Sequence, residues 1–197
     1  YYDLVASGVD NFLAFGGSAI GVWNAGTDGG ISGTGRANQV IQLKYVGKRL
    51  SLGLQGQARN ISDNSKSIDT YGFGIRYKIG KLILGLAFNN VNDGVKTPEP
   101  NQAIKGDEVL LFTGKYQSGS YTFAVSYADM NQHELTIVDG DRVFYDAIGI
   151  EVYLKKEFFA SKKWHLATGM NFLKPKEDED LGKLVRNYYL VDLGYKL

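Results

Sequence analysis

The chain has 197 residues, room for one domain, with a net charge of +1 and no cysteine. That excludes a disulfide framework and a cysteine-ligated zinc site, and the near-zero charge leaves no footprint for nucleic acid. The 25 glycines, 13 tyrosines and 10 phenylalanines stand against 3 prolines and 2 methionines, with glycine at about twice its usual share of roughly 7%.

Residues 1–37 come first and do not alternate. They hold Val9-Asp10-Asn11-Phe12-Leu13-Ala14-Phe15-Gly16-Gly17, then Gly26-Thr27-Asp28-Gly29-Gly30, then Gly33-Thr34-Gly35-Arg36-Ala37-Asn38. This stretch is too long and too apolar for an ordinary solvated loop. It lacks the charged and apolar regions of a signal peptide. No apolar run anywhere is long enough for a membrane-spanning helix.

From residue 38 onward the chain reads as about nine period-two segments, and no stretch reads as an amphipathic helix. In 38–46, Ile41, Leu43 and Tyr45 oppose Val40, Gln42 and Lys44. Leu50, Leu52 and Leu54 oppose Ser51, Gln55, Gln57 and Arg59. Tyr71, Phe73, Ile75 and Tyr77 oppose Gly72, Gly74, Arg76 and Lys78. Leu82, Leu84, Leu86 and Phe88 oppose Gly85, Ala87 and Asn89. Leu110, Phe112 and Tyr116 oppose Thr113 and Lys115. Tyr121, Phe123, Val125 and Tyr127 oppose Thr122, Ala124 and Ser126. Ile148, Ile150, Val152 and Leu154 oppose Gly149, Glu151 and Lys155. The last two segments set Trp164, Leu166, Met170 and Phe172 against His165, Gly169 and Asn171, and Tyr189, Val191, Leu193 and Tyr195 against Asp192, Gly194 and Lys196.

Alternation alone fits a soluble sandwich or lipocalin-like barrel, with the apolar face inward, as well as the inverse arrangement. Two patterns favour the inverse. Tight connections at Gly47-Lys48, at Gly80, at 117–120 and near Phe159-Ala160-Ser161 alternate with long polar ones at 60–69, 90–107, 129–143 and 174–187. Transmembrane barrels have short turns at one end and long loops at the other. The aromatics also fall at two heights. Tyr45, Tyr77, Tyr116, Tyr121, Trp164 and Tyr195 gather near the tight turns. Phe88, Tyr127, Phe172, Tyr71 and Tyr189 gather near the long loops, with aliphatics between. Two lipid–water interfaces select such girdles. The expected fold is all-β: a transmembrane antiparallel up-and-down β-barrel whose polar face lines a lumen. Nine is an odd count, and open edges in hydrocarbon leave backbone groups unpaired. The expectation is therefore that the chain is part of a larger barrel.

The first segment carries a resemblance. Tyr2-Asp3, Asp10, Phe15-Gly16-Gly17 and Gly35-Arg36-Ala37-Asn38 occur in the order of the constriction loop of Gram-negative general porins. The segments from Gln39 to Tyr45 and Leu50 to Gln57 look like the next two porin strands. The resemblance implies one domain, 1–197, with 1–37 as an inward-folded constriction loop and 38–197 as barrel strands, the sixth to fourteenth of sixteen. The lack of an initial methionine and the end at Leu197 fit that register. It implies a passive channel for small hydrophilic solutes and ions, not an enzyme, in the outer membrane of a Gram-negative bacterium. It also implies a homotrimer in contact with lipid and lipopolysaccharide, and no cofactor.

Family logic sets an acidic inward loop against basic wall residues. Asp3, Asp10 and Asp28 would supply the negative side, with Phe15, Gly16 and Gly17 shaping the loop. Arg36, Lys44, Arg59, Arg76, Lys78 and Lys115 would supply the positive wall, and charged rings set ion preference. Enteric porins often place a glutamate before Phe-Gly-Gly; here Ala14 stands there, which argues against strong cation selectivity. Lys44, Lys78, Lys115, Lys155 and Lys196 recur near strand ends by the tight turns. They form either a basic ring at the periplasmic mouth or lysines that reach to an interface.

Other signals are weaker. The glycine run at 26–35 lacks the Lys-Ser/Thr ending of a P-loop. His133 and His165 have no metal-ligand spacing, and no nucleophile arrangement is recognisable. The competing functions are a soluble β-barrel that binds a small apolar ligand and a substrate-selective outer-membrane channel.

Overall fold

A computed structural model describes residues 40–58, 68–92, 108–138, 141–158, 163–176 and 186–195. They form nine strands: β1 (Val40–Val46), β2 (Leu50–Gln57), β3 (Thr70–Ile79), β4 (Leu82–Val91), β5 (Glu108–Ser118), β6 (Tyr121–Val138), β7 (Asp141–Phe158), β8 (Trp164–Pro175) and β9 (Arg186–Tyr195). All pair antiparallel with their sequence neighbours in the order β1 to β9. Among the described residues the sheet is open, so β1 and β9 each have one partner strand there. The expected all-β up-and-down architecture is what these residues build.

Local chemistry explains the hairpins. Gly80 and Gly119 have φ of 58° and 61°. Each is the first of two residues between paired strands, where a type II′ hairpin needs positive φ. Nothing lies within 4 Å of a Cβ built on either glycine, so backbone conformation rather than space selects it.

The faces are inverted relative to a soluble sheet. Phe112 and Leu154 are 46% and 45% exposed on one face, while Asn89 and Glu151 are 0% and 3% exposed on the other. Each exposed aliphatic or aromatic named in the strand alternation sits on the outward face. The inward face shelters Ser51, Gln57, Thr70, Asn89, Thr113, Ser126 and Glu151. Outward rings meet at two levels. Trp164 and Tyr195 lie 5.0 Å apart at the tight-turn end. Tyr71–Phe88, Phe112–Tyr127 and Phe172–Tyr189 lie 6.2, 6.4 and 6.2 Å apart towards the other. Offset and edge contacts of this kind add to the area they cover.

Two expectations change. The long loop expected at 129–143 is mostly strand: β6 and β7 pair as far as Val138 with Asp141. β-Branched Thr136, Ile137, Val138 and Val143 favour extension there, and Asp139-Gly140 is a two-residue hairpin signal. A register shift between Met130 and Glu134 interrupts the ladder. Gln132 takes φ of 49° there. Its backbone N–H and its Nε2 donate to Asp146 Oδ1 at 2.7 and 3.0 Å, which anchors the bulge.

The second change concerns the wall. Towards the long-loop end buried apolar side chains join the inward face, with Val91, Val109, Leu111, Met130, Tyr145 and Leu173 beside buried Gln57, Thr70 and Asn89. Alternation fixes the face that each residue takes and does not show this mixing of polar and apolar side chains along the wall.

Candidate pore wall

Antiparallel pairing places inward side chains on shared rungs. One rung carries Arg76, Gly85, Thr113, Ser126 and Glu151. The next, nearer the turns, carries Lys78, Ile83, Lys115, Ala124, Tyr153 and Gly169. One further on are Gln117, Thr122, Lys155, Ala167 and Asp192, and then Glu157, His165 and Gly194.

Arg76 Nη2 donates to Ser51 Oγ at 3.4 Å, which holds the guanidinium along the wall between β2 and β3. At the upper end of the same strands Thr70 Oγ1 donates to buried Gln57 Oε1 at 3.1 Å. Both pairs are cross-strand neighbours, so register alone brings them together.

The densest charge lies low on β5 to β9. Lys155 Nζ is 3.4 Å from Glu157 Oε1, two residues along the same face of β7. His165 Nε2 is 2.8 Å from Asp192 Oδ2. Lys115 interacts electrostatically with Lys155, and Tyr153 with Asp192 and Glu157. Small neighbours make room: Tyr153 packs with Ala124 and Ala167. The His165 ring lies where a Cβ on Gly194 would stand. Lys115, Lys155, Glu157 and Asp192 together carry balanced formal charge, so this part of the wall is polar without a net sign.

Of the expected basic wall residues, Lys78 and Lys115 share a rung. Lys44 lies two rungs nearer the long-loop end, opposite Gly53 and Gly74. Lys44 and Lys78 are exposed. Lys155 faces the same way but is ion-paired, which weakens a purely basic ring. Asp3, Asp10, Phe15, Gly16, Gly17, Asp28, Arg36, Arg59 and Lys196 lie outside the described residues.

His165 has no metal-ligand spacing to His133 in the sequence. The described residues hold no cluster of three or more potential metal ligands. What joins His165 to Asp192 is the β8–β9 register, and only the inward parity shared by both residues hinted at it.

No family model matches the chain, and no curated protein matches it in sequence. Among solved structures it is similar to OmpF of Salmonella typhi in complex with daunomycin, with a TM-score of 0.65 and 17% identity. The match covers 82% of this chain and 51% of that one, so the chain spans about half the length of its structural neighbour. Nine sequential antiparallel strands, inverted faces and this likeness together give the chain a porin-like fold.

Proposed function

We propose that the chain forms part of the wall of a water-filled channel in the outer membrane of a Gram-negative bacterium, through which small hydrophilic solutes and ions diffuse passively. One observation carries the reading. Large apolar side chains are exposed along the outward face while Gln, Asn, Ser, Thr and Glu are sheltered on the other. Lipid stabilises the first surface and water the second. Ser126 Oγ and His165 Nδ1 are buried polar atoms without a hydrogen-bond partner among the described residues.

Residues 1–37 supply the constriction in this reading. Asp3, Asp10 and Asp28 then face Arg36, Arg59 and Arg76 across a narrow water column. The resulting transverse field orders water and hinders apolar solutes. Assembly as a homotrimer, and contact of the long-loop end with lipopolysaccharide, follow from the same reading. In lipid the open edges at β1 and β9 require further paired strands.

Planar-bilayer recording on the detergent-purified protein tests this. Ohmic steps that scale with bulk electrolyte conductivity are expected, with a reversal potential near zero in a salt gradient. Purification from the aqueous fraction without detergent, and no conductance, would point instead to a soluble barrel.

A further inference from the structure

We propose that the outward rim at the tight-turn end of β6 to β9 binds the phosphate headgroup of an anionic phospholipid. The inference rests on the reading of the outward face as lipid-facing and deepens it by naming the lipid.

Lys156 projects outward, beside inward-facing Lys155 and Glu157. Its Nζ lies 5.2 Å from the Tyr121 ring centroid and 5.3 Å from that of Phe158. Lys163 Nζ lies 5.7 Å from the Tyr195 ring, which in turn packs on Trp164. The pairs Tyr121 with Lys156, Phe158 with Trp164, and Trp164 with Tyr195 make these side chains one continuous belt. Ring faces within about 6 Å hold an ammonium by cation–π attraction. They leave its net positive charge uncompensated.

The distribution of acids gives the belt its specificity. Among the described residues with placed side chains, the outward acids are Glu108, Asp129 and Asp146, all at the long-loop end. There Asp129 pairs with Lys176, and Glu108 accepts from Asn90 at 2.8 Å. At the tight-turn end no outward carboxylate stands among the described residues. Glu157 and Asp192 point inward to Lys155 and His165. Two ammoniums therefore sit at the height of an interfacial aromatic belt, with no counter-ion on their own face among the described residues. A lipid phosphate supplies that charge. The acyl chains then run along Leu154, Leu166 and Leu193, the aliphatic row bordering the belt. A zwitterionic lipid brings its own cation and gains less.

The test uses the full chain in detergent, with thermal unfolding followed as phosphatidylglycerol, phosphatidylcholine or inorganic phosphate is added. Phosphatidylglycerol is expected to raise the unfolding midpoint more than the other two. The Lys156→Gln, Lys163→Gln double variant is expected to need a roughly 25-fold higher phosphatidylglycerol concentration for the same midpoint shift, at roughly five-fold per lysine. The Lys156→Arg, Lys163→Arg variant retains it. An equal response to phosphatidylcholine, or an unchanged response in the glutamine variant, overturns the proposal. A response to inorganic phosphate equal to that for phosphatidylglycerol assigns a free-anion site and also overturns it. Insertion into vesicles is measured separately. Insertion without lipid preference overturns the lipid site alone, whereas failure to insert overturns the membrane reading as well.

Discussion

At the scale of single residues, glycine decides where the wall carries its charge. Gly194 faces inward opposite His165. A Cβ there would occupy the space of the imidazole. The ring is the free end of a side chain, so it moves at small cost, and Gly194→Ala is expected to change stability by under about 1 kcal/mol. The displaced imidazole loses its 2.8 Å contact with Asp192 Oδ2. The imidazole nitrogen signals of His165 in detergent-solubilised protein report this directly. Unchanged signals in the Ala variant would show that the ring does not rely on the glycine. The inward parity of His165, Asp192 and Gly194 was legible in the sequence. That the three converge was not, because convergence depends on which residue of β9 faces which residue of β8. Two-residue periodicity fixes the face and leaves the register free. Parity places Arg76, Lys78, Lys115 and Lys155 on the same inward face. It does not show the ion pair of Lys155 with Glu157, which runs along one strand face and balances the charge of that lysine.

At the scale of elements, the turns at Gly80 and Gly119 and most described strand bounds were readable because glycines and breaks in alternation mark them; the turn expected near Phe159-Ala160-Ser161 lies outside the described residues. The exception is the β6–β7 hairpin. Residues Asp129 to Glu134 resemble a loop in composition, yet the β6–β7 ladder breaks only between Met130 and Glu134 and resumes beyond, in a shifted register. The bulge absorbs the misfit, and Asp146 is its anchor through two hydrogen bonds from Gln132. Hydrogen bonds to a charged acceptor contribute about 1.5–3 kcal/mol where well formed, less when partly solvated. Asp146→Ala is accordingly expected to destabilise the outer part of this hairpin by about 1–2 kcal/mol. Amide exchange should quicken for residues beyond the bulge on both strands and stay unchanged near the tight turns. Uniform quickening along the whole of β6 and β7 would instead mean that the hairpin unfolds as one unit and that the bulge has no separate anchor.

At the scale of the whole molecule, the faces of one sheet carry opposite demands, and adjacent residues of β5 expose them. Phe112 is outward and 46% exposed; Thr113 is inward and 8% exposed. In an aqueous protein the outward site takes a charge freely and the sheltered site does not. In a membrane wall the order reverses. An arginine on the lipid side near mid-bilayer costs about 2–4 kcal/mol, while one on the lumen side is hydrated by the water column. Phe112→Arg is thus expected to lose insertion into bilayers. Thr113→Arg should insert, conduct less because it narrows the lumen, and shift the reversal potential towards anion preference. The pair differs by one position along one strand, so chain length and overall charge are matched between the variants. Stable, monodisperse Phe112→Arg protein in detergent-free buffer, together with unfolded Thr113→Arg protein, would reverse the assignment of inside and outside for the entire sheet. Every statement about the wall depends on that assignment, because the same register that places Thr113 inward also places Arg76, Ser126 and Glu151 there.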